Sequence, residues 1–118
     1  MSEWNPTNFP EGIAAAAGIQ IGAVSRVAAL TLYAVVPVLG AVAANSTAEQ
    51  MLPVPGVAAG DVVLAVNKPG AQAGLGIVGM RVAGAGSVGV TFANVTAAPV
   101  TPASGETYAI VCITPGAA

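Results

Sequence analysis

Val88-Gly89-Val90-Thr91-Phe92-Ala93-Asn94 places its large apolar side chains at every second position, with Gly89, Thr91 and Ala93 between them. Successive side chains of a strand point to opposite faces, so this alternation predicts a strand that buries Val88, Val90 and Phe92 on one side. Working outward, Gly84-Ala85-Gly86-Ser87 reads as a turn, and residues 75–82 as the strand that enters it. On the other side, residues 96–105 carry Pro99 and Pro102 and predict a long loop, after which residues 106–113 close the chain as a strand. Upstream, Val62-Val63-Leu64-Ala65-Val66-Asn67 predicts a buried strand, bounded by Ala59-Gly60-Asp61 and Lys68-Pro69-Gly70. Residues 49–54 predict a short edge strand, with Pro53 where an edge tolerates it, between turns at Asn45-Ser46-Thr47 and Pro55-Gly56. Short strands at regular spacing with Gly/Pro turns predict an all-β fold, an antiparallel β-sandwich or jelly-roll-like domain.

The first third of the chain is less regular. Residues 1–12 hold Asn5-Pro6, Phe9-Pro10 and Glu11-Gly12, which break helix and strand, and also hold Trp4 and Phe9. This segment reads as an extended N-terminal arm, and residues 13–118 as a single domain. A frayed terminus is one reading of the arm. The other is an arm whose Trp4 and Phe9 anchor onto a neighbour, since large aromatics make good interface anchors. Removing residues 1–12 is then expected to leave the fold intact and to weaken attachment. Ala14-Ala15-Ala16-Ala17 allows at most a turn or two of helix between glycines. Residues 27–48 carry no charge, a length that would span a bilayer. Pro37 and Gly40 interrupt the run, no basic cluster flanks it, and Leu30-Thr31-Leu32-Tyr33-Ala34-Val35-Val36 favours strand. Strands are expected near residues 24–35 and 37–44, with a small membrane protein using residues 13–44 as the lesser alternative.

Charged residues make up 7% of the 118 residues and hydrophobic ones 55%, with a mean hydropathy of +0.80. Ordinary domains carry about 25% charged residues, so this chain has little with which to cover its own surface. Soluble monomers rarely leave broad apolar patches in water, which implies cover by other subunits. Three cations, Arg26, Lys68 and Arg81, cannot neutralise a run of phosphates, so nucleic acid is not an expected partner. The chain has no histidine, one cysteine and five dispersed carboxylates, with no metal-ligand spacing. No enzyme activity, cofactor, metal or small-molecule substrate is therefore expected. Cys112, in an apolar run, reads as a small buried hydrophobe. A carboxylate pair such as Asp61 with Glu106 stays open as a remote alternative. Gly74-Leu75-Gly76-Ile77-Val78-Gly79 superficially matches a dinucleotide fingerprint, but a strand follows where that motif opens a helix. Arg81, in Val78-Gly79-Met80-Arg81-Val82, reads as an inter-subunit ion pair or carbonyl clamp. Its alternative is a stem that covers apolar surface. Lys68, beside Pro69, is expected to be solvated. The start of the chain is not expected to act as a secretory signal, which makes the cytoplasm the expected place of synthesis.

Several phrases carry a resemblance. They are the segment from Val54-Pro55-Gly56 through Gly60-Asp61 to Asn67-Lys68-Pro69, then Ala73-Gly74-Leu75-Gly76-Ile77, then Arg81-Val82. Val90-Thr91-Phe92-Ala93-Asn94-Val95-Thr96 and Thr101-Pro102 complete the series. In this order, over residues 45–113, the chain resembles small tailed-phage proteins that decorate or cement a capsid. The resemblance implies a β-sandwich, a homotrimer, and a place on the virion capsid surface bridging subunits of the major capsid protein. A head fibre or a host-surface binding module of a virion is the alternative.

Overall fold

The computed structural model describes residues 19–21 and 25–116, with side-chain surroundings from Val27 onward. The arm of residues 1–12, with Trp4 and Phe9, and the alanine run at residues 14–17 lie outside the described residues.

Among the described residues seven strands form, β1 (Ile19–Ile21), β2 (Ser25–Val35), β3 (Ser46–Pro53), β4 (Val62–Asn67), β5 (Leu75–Gly84), β6 (Ser87–Asn94) and β7 (Tyr108–Pro115). They pair into two antiparallel sheets, one ordered β1-β2-β7-β4 and the other β3-β6-β5. The protein is thus an all-β domain. Among the described residues no helix is long and apolar enough to cross a membrane.

The alternation in β6 works as expected: Val88, Val90 and Phe92 are all fully buried. They share one core with Leu52 of β3 and with Tyr108, Ile110 and Cys112 of β7, so the central strands of the two sheets supply most of it. The β5–β6 hairpin turns at Ala85-Gly86, where Gly86 has φ 73°, a left-handed conformation that glycine adopts without a Cβ penalty. Its backbone is tied down as well, with Gly86 N–H donating to Val57 O at 2.8 Å and Val54 N–H donating to Gly86 O at 2.9 Å.

Two expectations are corrected. Residues 37–44 form no strand, and their one β-bridge is Val42 with Val100. Pro37 has no N–H for a ladder. The N–H and C=O of Gly40 are taken instead by the Gln50 side chain, at 2.7 and 2.8 Å. The turn expected at residues 45–47 lies at residues 44–45, where Asn45 takes φ 52°, and β3 begins at Ser46 rather than at residue 49.

One buried polar residue fixes the loops. Asn94 ends β6 on the core side, donating to Val42 O at 3.0 Å and to Ala98 O at 2.8 Å. Its Oδ1 accepts from Thr96 N–H at 2.9 Å and from the Thr96 hydroxyl at 2.7 Å. All four bonding positions of the amide are thus used, as burial demands.

Candidate assembly surface

In a strand pair the register determines which side chains share a face. Across β2, β7 and β4 the inward positions are Tyr33 and Val35, then Tyr108, Ile110 and Cys112, then Val63 and Val66, all of which line or pack on the core. The alternate positions point away from it. Leu30 lies beside Ile113, which lies beside Val62; Leu32 lies beside Val111 and then Ala65; Ala34 lies beside Ala109. A bulge between Val63 and Ala65 adds Leu64 to the same patch. Every one of these side chains is aliphatic. Leu30 and Leu32 are each 66% exposed, Leu64 52% and Val62 47%. Three strands at about 4.8 Å spacing, over about five residues, give an apolar plane of roughly 240 Å².

The strand at residues 62–67 was expected to be buried, and it is half-open. Its continuous apolar run is the sequence signature of cover on both faces. The described residues supply cover on one face only. The same signal stands in Tyr108-Ala109-Ile110-Val111-Cys112-Ile113, and it identifies the face that the sequence reading did not single out.

The other sheet exposes Met51 and Val78 as well, but it also carries a charged pair. Arg81 on β5 reaches over β6 to Glu49 on β3, with Nε 2.7 Å from Oε2 and Nη2 2.9 Å from Oε1. Gly89 lies beneath this two-bond fork: a Cβ there would come within 2.4 Å of Glu49 Oε2. The Arg81 hydrogen bond holds the Glu49 carboxyl below its ordinary value, against a smaller opposing effect of burial, and Glu49 in turn raises Arg81. Arg81, the interface candidate, therefore has a partner within its own chain.

Lys68 is also not where it was expected. Its side chain is only 10% exposed, with Nζ 2.8 Å from Glu106 Oε1 and in contact with Gly70 O. Gly70 leaves room for Glu106, whose Oε2 would overlap any Cβ at that position. Asp61 accepts from the Thr114 hydroxyl at 2.8 Å and from Ala58 N–H at 3.0 Å, which closes its turn onto β7. Asp61 precedes β4 and Lys68 follows it, so Asp61 and Glu106 stand at opposite ends of that strand and form no dyad. Burial, then the charge of Asp61, pushes the Cys112 thiol up, which disfavours the reactive thiolate. Among the described residues no group of three or more histidine, cysteine or acidic side chains could hold a metal.

Two of the concavities among the described residues border these strands. One, of about 280 Å³, lies at the β4–β5 side and includes Lys68, whose charge Glu106 already balances. The other, of about 560 Å³, lies at the exit of β2 and is lined by Val35, Val36, Pro37, Val38, Met51, Pro53 and Pro55. Its lining has no charged side chain and no side-chain N–H or O–H group. Comparisons of the chain with protein families, with curated proteins and with solved structures give no match.

Proposed function

We propose that this protein is a structural subunit of a phage virion. In this reading it is a decoration or cement protein, a β-sandwich or jelly-roll-like domain that assembles as a homotrimer and bridges major capsid subunits on the capsid surface. The observation that carries the reading is the aliphatic outer face of β2, β7 and β4, two-sided strands of which the described residues cover one side. The resemblance in residues 45–113 supplies the virion context. A cement subunit gains from repetition: many modest contacts over a lattice hold where one would not. The Glu49–Arg81 fork puts a charged pair on the opposite sheet, beside the exposed Met51 and Val78.

The test is light scattering on the purified chain in detergent-free buffer at micromolar concentration, followed by electron microscopy of particles that carry it. A stable trimer and density lying flat on the shell are expected. A clean monomer would count against the reading, and projecting density would transfer the protein to a head fibre.

A further inference from the structure

We infer that Val38 is a knob that one copy of this chain seats in the apolar groove at the exit of β2 of a second copy. The inference rests on the reading that copies of the chain associate, and it names the residues that make the contact.

The inside–outside alternation of β2 does not stop where the strand does. Tyr33 and Val35 pack on the core; beyond the strand Leu39 does the same and Pro37 is buried. The positions between them face out: Leu30 and Leu32, each 66% exposed, then Ala34, Val36 at 58% and Val38 at 90%. A ridge of five aliphatic side chains thus runs from Leu30 to Val38, about 26 Å at a strand-like rise. It carries the aliphatic face of β2, β7 and β4 past the end of the sheet.

Val38 is tied down on both sides. Pro37 before it is buried, and Gly40 after it engages the Gln50 side chain through both N–H and C=O, at 2.7 and 2.8 Å. Two residues further, Val42 is fully buried and exchanges two backbone hydrogen bonds with Val100, at 2.8 and 3.0 Å. These ties fix a valine that the fold leaves in water. A side chain so exposed adds almost nothing to folding, but one already fixed gives up little freedom on docking.

The groove beside it supplies the complement. Met51, Pro53 and Pro55 join residues 35–38 around a volume of about 560 Å³, with no charged side chain and no side-chain N–H or O–H. Such a lining offers a polar partner nothing and accepts an aliphatic one. Val38 stands at the rim and, being 90% exposed, does not fill its own groove. The chain carries no charge from Val27 to Ala48, so two copies meet here without like-charge repulsion. Each copy bears one knob and one groove, and a closed assembly of copies uses both. A second copy is therefore the occupant that the chemistry of this surface fits.

The experiment uses the full chain. Val38→Asp should melt like the parent in urea and associate at least about tenfold more weakly in sedimentation over a dilution series. Mixing Val38→Cys chains with Met51→Cys chains should give a crossed interchain disulfide. Its yield should exceed that from mixing Val38→Cys with Val78→Cys, on β5 of the other sheet. Association unchanged by Val38→Asp, or a crossed yield no greater than the control, would overturn the inference. If Val38→Asp chains associate normally but no longer coat particles, the groove receives a different protein and the second-copy assignment is lost. The parent and Leu32→Ala, run alongside, separate the two readings. A monomeric parent overturns assembly itself, whereas weakening by Leu32→Ala with none by Val38→Asp overturns only the knob.

Discussion

Shortening Leu32 to alanine separates what holds the fold from what drives assembly. Leu32 is 66% exposed in the single chain, so only about a third of its side chain contributes to folding. Full burial of a leucine is worth ~1.5–3 kcal/mol, which assigns roughly 0.5–1 kcal/mol to the fold and ~1–2 kcal/mol to whatever covers the face. A difference of 1.4 kcal/mol is tenfold in an equilibrium constant, so association should weaken by about 5- to 30-fold per subunit. Ile110, fully buried on the opposite side of the same sheet, provides the contrast: its truncation to alanine should cost ~2–5 kcal/mol of folding stability. The assay pairs urea unfolding with sedimentation over a dilution series for both variants. The reasoning fails if Leu32→Ala leaves self-association untouched, or if it destabilises the fold as much as Ile110→Ala does.

Four further outcomes are expected. The Tyr108 hydroxyl is buried with no hydrogen-bond partner among the described residues, and burial, then the nearby Glu106 charge, raises its pKa. Tyr108→Phe should therefore leave urea stability unchanged or raise it by up to ~1 kcal/mol, and a clear loss would reveal a missing partner. Asn94→Ala removes four hydrogen bonds inside the core and should cost about 3 kcal/mol or more by the same melts; a loss below ~1 kcal/mol would contradict its role. Glu49 is held below its ordinary 4.5, so its contribution is present above that value and is lost as pH falls through the lower folded-state value. Melts in that acid range should show the loss in the parent and not in Gly89→Ala, whose added methyl displaces the fork. Cys112 should resist thiol reagents in the native protein and react on unfolding; stoichiometric native labelling would show that the thiol is accessible.

The strands most open to reading were those whose pattern has one explanation. Val88-Gly89-Val90-Thr91-Phe92 alternates, and it folds with one face in the core. Residues 75–82 and 106–113 also fall in strands, with ends displaced by about two residues, where caps and turns rather than hydrophobic pattern decide. The segment at residues 37–44 misled because its apolar content matches a strand. What decides its backbone is Gln50, a side chain ten residues beyond Gly40, and no local pattern encodes that. Lys68 was illegible for the same reason, since its partner Glu106 lies in another loop. Arg81 was legible as a charge needing a partner. Which partner depended on β3 and β5 flanking the same strand and on a glycine between them.

The phrases that carry the family resemblance turn out to be devices of the fold. Gly56 takes φ 102° with the Tyr33 ring only 3.3 Å from where a Cβ would lie, closer than ordinary contact. Asp61 closes the turn that follows and pins it to β7 through Thr114. Phe92 fills the core, while Asn94 and Thr96 together tie the segment at Val42 to the loop after β6. Each of these positions accepts few residue types, because a positive φ, a buried amide or a short carboxylate reach is demanding. The face built by Leu30, Leu32, Val62, Leu64, Val111 and Ile113 makes no such demand, since burial of apolar area is non-directional and almost any aliphatic side chain supplies it. Motifs in this protein therefore record how it folds, and the surface proposed to act in assembly leaves no motif. A swap such as Leu32→Met that preserves apolar area should be tolerated where Leu32→Ala is not. That pair of substitutions distinguishes an assembly face from a site that reads one side chain.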